Sequence, residues 1–140
     1  MTNPVFVLDS FALLAYLNGE SACKRVVQVL EQSRAQQARV LLCTINLGEI
    51  LYIIERRRGL YNAQRAQALI ESLPIEEVLP DRSLILDAAH IKAHHAISFA
   101  DAFVTALAQR ESAIVLTGDP EFQSVQKLVQ VEWLTPPIQG

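Results

Sequence analysis

With 140 residues, 51% of them hydrophobic, the chain is long enough to bury one sizeable core and predicts one soluble domain. No apolar run is long enough to cross a bilayer, because Asp9 interrupts the only candidate, and no membrane partner is expected. The formal net charge of −3 does not exclude a nucleic-acid partner, since acidic side chains that bind divalent cations would be neutralised.

The first residues and the cysteines indicate a cytoplasmic protein. Residues 1–4 lack the positive charge and the apolar length of a signal peptide. Cys23 and Cys43 lie far apart without metal-ligand spacing, which favours buried thiols in a reducing compartment over a disulfide. No repeat, low-complexity tract or linker divides the chain, so we expect residues 1–140 to form a single domain.

Residues 5–8 predict a short strand that is buried on both faces, because they are apolar without interruption and two of them are β-branched. Asp9 follows directly, and Ser10 is a candidate N-cap for a helix that continues to residue 17. In an open parallel sheet, ligands bind beyond the carboxyl ends of the strands, which is where Asp9 would lie. The alternative is that Asp9 only caps the helix.

A second helix is predicted over residues 21–37 and a second buried strand over residues 40–43. Thr44 is expected to cap a helix over residues 45–58, which Gly59 ends. On that helix Glu49 lies close to the apolar side, where an unpaired carboxylate costs several kcal/mol. Glu49 therefore either reaches water at the edge of the apolar stripe or has a ligand.

The rest of the chain continues to alternate between the two element types. Helices are predicted over residues 61–73, 81–91 and 99–110, and strands over residues 75–79, 113–116 and 129–133. Ser98 and Asp101 have the spacing of a capping box, which is the main structural explanation for Asp101. Asp119 lies in a turn rich in glycine and proline, directly after a buried strand.

This alternation predicts a mostly parallel, three-layer α/β domain with a sheet of four to five strands. Because strand–helix–strand crossovers are right-handed, a doubly wound sheet can grow outward in both directions from its first strand, and we expect the strand order 3-2-1-4-5. Asp9 and Asp119 would then face each other across the crevice between the first and fourth strands, with Glu49 and Asp101 on helices that begin at the same edge. Such acids repel one another unless cations lie between them, and oxygen-only ligands suit Mg²⁺ or Mn²⁺.

Four blocks of sequence also carry a likeness to a known family: Val7-Leu8-Asp9-Ser10, Leu47-Gly48-Glu49, residues 97–103 and residues 116–122. Together they resemble the PIN-domain ribonucleases, and among these the VapC-like toxins of toxin–antitoxin pairs. One block alone is unspecific, whereas all four occur in the order and at the spacing of the family, over nearly the whole chain.

The resemblance implies a metal-dependent endoribonuclease that hydrolyses RNA phosphodiester bonds with Mg²⁺ or Mn²⁺. It implies a catalytic, metal-binding acidic cluster, formed by Asp9, Glu49, Asp101 and Asp119. It also implies supporting polar groups, namely Ser10, Thr117 and Glu121, the last of which is otherwise a surface residue. The implied partners are an RNA substrate, a small DNA-binding antitoxin and a second copy of the chain.

Several alternatives remain open. Arg56, Arg57 and Arg58 either contact RNA phosphates or form an exposed helix end that the helix dipole favours. His90 and His94 have the i, i+4 spacing of metal ligands but lack the glutamate of the zinc-protease pattern, which favours a solvated helix face. A receiver-type domain would need a phospho-acceptor aspartate after a middle strand and a lysine at a late one, whereas the second strand here ends in Cys43-Thr44 and no lysine directly follows the fourth strand. The other readings are an RNA-processing nuclease without an antitoxin and a non-catalytic binding scaffold.

Overall fold

The computed structural model describes residues 2–134, in which helices cover both faces of a five-stranded parallel sheet. The strands are β1 (Val5–Leu8), β2 (Arg39–Cys43), β3 (Glu76–Val78), β4 (Ile114–Thr117) and β5 (Gln130–Trp133). The helices are α1 (Ser10–Leu17), α2 (Cys23–Arg34), α3 (Thr44–Arg58), α4 (Leu60–Ser72), α5 (Arg82–His94) and α6 (Phe99–Glu111), with a short 3-10 helix at Pro120–Val125. The predicted α/β class is therefore confirmed.

The strand order is β3-β2-β1-β4-β5, which confirms the expected doubly wound order. β1 lies at the centre and pairs in parallel with β2 on one side and with β4 on the other. In this register Val7 lies opposite Leu41 and Val115, and Leu8 lies opposite Leu116. The carboxyl ends of β1 and β4 therefore end side by side.

The sheet separates two hydrophobic cores, because successive side chains of a strand point to opposite faces. On β1, Val7 packs into the core formed with α5, α6 and the 3-10 helix. Phe6 and Leu8 pack into the other core, with α1, α2 and α3. This explains why residues 5–8 are apolar without alternation. Each fully buried Val, Leu or Phe side chain contributes about 1.5–3 kcal/mol, so the sheet centre is held firmly.

Two of the expected helix caps are wrong. Asp9, rather than Ser10, is the N-cap of α1, because its carboxylate accepts a hydrogen bond from the backbone N–H of Ala12 at 2.9 Å. Thr44 is the first residue of α3 rather than its cap, and its hydroxyl lies 2.9 Å from a carboxylate oxygen of Glu77. Thr44 therefore connects α3 to the edge strand β3, a use that local sequence does not reveal.

Other differences lie at helix ends and on one helix face. The helix predicted over residues 21–37 is shorter, at Cys23–Arg34, and Gln36 beyond it has a φ of 60°. On α4, Ile70 is buried, whereas Leu69 is 44% exposed. Cys43 is buried, Cys23 is partly buried, and both are free thiols. Within residues 2–134, no helix combines the length and the apolar character that crossing a bilayer requires.

Candidate active site

Acidic side chains gather where β1 and β4 end. The pairing of Leu8 with Leu116 places Asp9 next to Thr117, the last residue of β4. Asp119 follows two residues later and begins the 3-10 helix, because its carboxylate accepts a hydrogen bond from the N–H of Glu121 at 2.9 Å. Asp101 lies in the first turn of α6. The crevice between the first and fourth strands is thus surrounded by carboxylates from three segments.

The tightest group consists of Asp101, Asp119 and Glu121. One carboxylate oxygen from each residue lies within 4.8 Å of those of the other two. Asp101 is only 5% exposed, Asp119 is partly buried and Glu121 is exposed. Glu121, which the sequence placed among supporting groups, is therefore a full member of the group by distance, whereas Asp9 and Glu49 lie outside it.

Thr117 links the β1 side of the crevice to the β4 side. Its hydroxyl donates a hydrogen bond to one carboxylate oxygen of Asp9 and accepts one from the backbone N–H of Asp119 at 2.9 Å. The other carboxylate oxygen of Asp9 caps α1. Both oxygens of Asp9 are thus engaged, and the residue is 1% exposed. Asp9 serves as a helix cap and as part of the crevice, so the two readings of its sequence position are compatible.

Burial and like charge disfavour ionisation in this crevice. Burial raises the pKa of Asp9 from 3.8 to about 7, although the hydrogen bonds from Thr117 and Ala12 oppose the shift. The pKa of Asp101 is raised from 3.8 to about 9 by burial, by a hydrogen bond shared with Glu121, and by the charges of Asp9, Asp119 and Glu121. The folded protein without metal therefore holds protons here at neutral pH.

Glu49 reaches the crevice indirectly. It lies on α3, is partly buried, and accepts a hydrogen bond from the hydroxyl of Ser10. Because Ser10 follows Asp9 directly, this bond brings Glu49 beside the β1 end of the site. The partly buried carboxylate of Glu49 is therefore paired with a hydroxyl.

The start of α6 is held by two polar side chains. The hydroxyl of Ser98 accepts a hydrogen bond from the N–H of Asp101 at 3.1 Å, which is the first half of the expected capping box. Asn46, one turn before Glu49 on α3, donates its side-chain amide to the carbonyl of Ala100 at 3.3 Å. Sequence reasoning missed Asn46, although a polar residue one turn from Glu49 on the same helix was a signal for it.

Asn46 is also fully buried, and no donor within residues 2–134 reaches its side-chain oxygen. A buried polar atom without a partner costs about 1–3 kcal/mol, so this residue is not explained by packing alone. The hydrogen bond from its side-chain amide to the carbonyl of Ala100 holds the helix that carries Glu49 against the helix that carries Asp101.

The remaining polar candidates lie away from the acidic group. Arg56, Arg57 and Arg58 are exposed in the last turn of α3, about 10 Å along the helix axis from Glu49. The guanidinium of Arg56 lies 5.4 Å from the centre of the Tyr52 ring. His90 and His94 are exposed on α5, with ring centres 4.8 Å apart in an edge-to-face arrangement.

A groove of about 380 Å³ lies between α1, α3 and α4. Leucine and isoleucine side chains line it, together with three arginines; among these residues are Leu14, Leu17, Ile53, Ile54, Leu69, Arg57, Arg58 and Arg65. None of its described lining residues is acidic, so the groove is separate from the crevice. We call it the arginine groove.

The donor set of the crevice fits a hard divalent cation. Its atoms are carboxylate and hydroxyl oxygens, from residues that include Asp101, Asp119 and Glu121. Mg²⁺ and Mn²⁺ prefer such oxygen ligands, whereas a structural zinc site would need cysteine or histidine. A bound cation would also relieve the repulsion that raises the pKa of Asp101.

The chain belongs to the PIN domain family, whose sequence pattern it matches over residues 6–128. A search of curated proteins found no match.

Among solved structures, the fold is similar to that of VapBC2 from Rickettsia felis bound to a promoter DNA fragment, with a TM-score of 0.72, 15% identity, and coverage of 91% of this chain and 97% of that chain. It is also similar to DNA-bound VapBC from Salmonella typhimurium, with a TM-score of 0.71, 18% identity, and coverage of 94% and 99%. A third is VapC20 from Mycobacterium tuberculosis, a toxin that cleaves the sarcin-ricin loop, with a TM-score of 0.65, 21% identity, and coverage of 86% and 94%. At these identities the similarity establishes the fold.

The raised pKa values predict that the metal-free protein becomes less stable as the pH rises from about 5 to about 9. In this range the folded state binds more protons than the unfolded chain, because Asp9 and Asp101 ionise only near pH 7 and 9. The free energy of unfolding should fall, and the melting temperature with it, by roughly 5 °C or more. Thermal melts in EDTA at several pH values measure this trend.

The variant Asp101→Asn is the matched control, because it removes one titrating group and nearly preserves the side-chain shape. Its melting temperature should fall less over the same pH range. A parent protein that becomes more stable toward pH 9 in EDTA would contradict the protonated crevice.

Proposed function

We propose that this protein is an endoribonuclease that hydrolyses RNA phosphodiester bonds with Mg²⁺ or Mn²⁺, and that it is the cytoplasmic toxin of a type II toxin–antitoxin pair. The observation that carries the proposal is the group of carboxylate oxygens from Asp101, Asp119 and Glu121 within 4.8 Å of one another, in a chain of the PIN domain family. The similarity in fold to VapC and VapBC structures supports the toxin role.

In this proposal the metal ligands come from both sides of the crevice. Asp9, Glu49, Asp101 and Asp119 are the catalytic acids, and Glu121 lies close enough to join them. A bound Mg²⁺ or Mn²⁺ would polarise the phosphodiester and lower the pKa of a bound water molecule toward neutrality. No nucleophilic side chain is needed for this chemistry.

The supporting residues hold the acids in place. Thr117 binds Asp9 through its hydroxyl and the backbone of Asp119 through its oxygen, so one side chain sets the relation of the two acids. Ser10 orients Glu49 in the same way. These contacts hold the carboxylates in position against their mutual repulsion. Such prearrangement is what the protein contributes to a metal-assisted hydrolysis.

RNA is the proposed substrate, in single-stranded or loop form, because we expect the shape of the site, rather than hydrogen bonds to base edges alone, to select it. Arg56, Arg57 and Arg58 are exposed and positively charged, which supports contacts with phosphates at a distance from the cleaved bond. A homodimer is proposed as the functional form.

The alternative candidates are a PIN-fold nuclease that processes RNA without an antitoxin and a binding scaffold without catalysis. The clustered carboxylates favour catalysis over the scaffold. A crevice that only binds a protein does not need several acidic groups whose negative charges repel one another.

RNA cleavage by the purified protein should depend on the metal. We expect cleavage of single-stranded RNA with Mg²⁺ or Mn²⁺ and its loss in excess EDTA, because the acids act only through a bound cation. Gel analysis of labelled RNA measures the products. Full activity in EDTA would exclude this mechanism.

The variant Asp119→Asn separates function from stability. Cleavage should fall by about 100-fold or more. The metal-free variant should melt at or above the temperature of the parent, because one repelling charge is removed while the amide oxygen can still accept the N–H of Glu121. Added Mg²⁺ should raise its melting temperature less than that of the parent.

The exposed acid Asp87 on α5 provides the matched control. Asp87→Asn should keep both cleavage and the response to Mg²⁺. If Asp119→Asn is destabilised by on the order of 1 kcal/mol and remains active, Asp119 is a structural cap and not a catalytic acid.

The proposed antitoxin covers the crevice, where an arginine or lysine of the partner takes the place of the metal charge. The arginine groove supports a docking site for one of its helices, because its floor is apolar and its arginines would attract acidic side chains on that helix. Since Arg57 and Arg58 line the groove, partner and RNA would compete for the same positive charge.

A glutamate in the arginine groove should block the partner. We expect Ile53→Glu to weaken the complex with the candidate antitoxin, a small protein encoded by the adjacent gene, at least about tenfold, because a charge replaces an apolar contact. Co-expression of the candidate antitoxin with this variant should then no longer relieve the growth arrest that the toxin is expected to cause. Leu79→Glu is the matched control, since Leu79 is 77% exposed and lies outside the groove. Thermal melts check folding, and a complex of parental affinity would refute the docking site.

A further inference from the structure

The ring of Phe11 lies directly against the backbone of Gly118. A Cβ atom added to Gly118 would lie 2.3 Å from Cε1 and 2.5 Å from Cζ of Phe11, and 3.0 Å from Cδ1. Such distances do not occur between non-bonded carbon atoms, so no side chain fits while the ring stays where it is. The ring of Phe11 and the bare Cα of Gly118 are therefore complementary in shape.

Backbone conformation does not explain this glycine. Gly19 and Gly59 have φ values of 64° and 87°, which favour glycine at those turns, whereas Gly118 is not among the glycines with positive φ. The φ of Gly118 thus lies outside the left-handed range that favours glycine. The three atoms nearest to an added Cβ all belong to Phe11, so the ring explains the lack of a side chain at this position.

Both residues are covalent neighbours of the site. Phe11 follows Ser10, the partner of Glu49, and comes two residues after Asp9. Gly118 lies between Thr117, which donates to Asp9, and Asp119, whose N–H donates to Thr117. The contact therefore joins the start of α1 to the loop after β4, within two residues of Asp9 on one side and next to Asp119 on the other.

We propose that Phe11 and Gly118 are a pair of positioning residues, which set the separation between Asp9 on the β1 side and Asp119 on the β4 side. The proposal rests on the proposed function, since it concerns the same acids. The hydrogen bonds of Thr117 fix which groups meet, and the ring against the Cα fixes how closely the loop approaches α1. A displacement of about 1 Å is enough to lower a catalysed rate about 100-fold.

The pair differs from an ordinary packing contact in what it predicts for double variants. A methyl group at Gly118 must move either the ring of Phe11 or the loop that carries Asp119. Shortening the ring to leucine removes Cε1 and Cζ of Phe11, the atoms nearest to the added Cβ. The damage from Gly118→Ala should thus be repaired by Phe11→Leu, which by itself only loosens the contact.

The experiment compares four proteins with the parent: Gly118→Ala, Phe11→Leu, the double variant and Gly48→Ala. Mn²⁺ affinity is measured by calorimetry, and RNA cleavage as kcat and KM. We expect Gly118→Ala to weaken Mn²⁺ binding about fivefold or more and to lower kcat about tenfold or more, with a smaller change in KM. The double variant should recover most of both losses.

Gly48→Ala is the matched control. Gly48 precedes Glu49 on α3, and a Cβ added there meets nothing within 4 Å. This variant should bind Mn²⁺ and cleave RNA as the parent does, with a melting temperature equal to or above that of the parent, because alanine favours a helix interior over glycine.

Parental behaviour of Gly118→Ala would overturn the proposal, because the ring would then yield without moving the acids. A double variant no better than Gly118→Ala would overturn it as well. If Gly118→Ala does not fold, the double variant decides: folding with Mn²⁺ affinity near that of the parent supports the pair, and failure to fold refutes it. Absence of cleavage by the parent would contradict the proposed function, whereas Mn²⁺ affinity tests the pair independently of RNA.

Discussion

The parallel pairing of β1 with β4 is the constraint on which the acidic crevice depends. It brings Asp9 next to Thr117 although the two are more than a hundred positions apart in the chain. The force that holds them is hydrophobic, because the paired residues Val7, Leu8, Val115 and Leu116 are all fully buried. Each such side chain contributes about 1.5–3 kcal/mol, enough to keep carboxylates together that repel one another.

That arrangement makes the protonation of the site part of folding. Asp9 and Asp101 are buried among other acids, and their pKa values are raised to about 7 and about 9. In the absence of metal, protons reduce the repulsion, and a divalent cation would replace them. Binding of a divalent cation at this site would thus be coupled to pH and to stability.

Two further features divide the surface of the molecule by chemistry. The crevice offers oxygen ligands at the carboxyl edge of the sheet, whereas the arginine groove offers apolar side chains and positive charge between α1, α3 and α4. Both use α1 and α3, so a partner seated in the groove lies on the same helices that carry Ser10 and Glu49. This shared framework gives a physical route by which a bound protein could regulate the site.

The amino-acid sequence by itself determined the α/β class, because buried strands that alternate with helices follow from local patterns. The doubly wound order expected for that class then placed the acids at the carboxyl edge of the sheet, and the structure has this order. Only the tertiary structure decided which atoms meet. Asp9 rather than Ser10 caps α1, Glu121 joins Asp101 and Asp119, and Asn46 and Phe11 contact residues far along the chain. Such contacts depend on how separate elements approach one another in space, which no local spacing encodes.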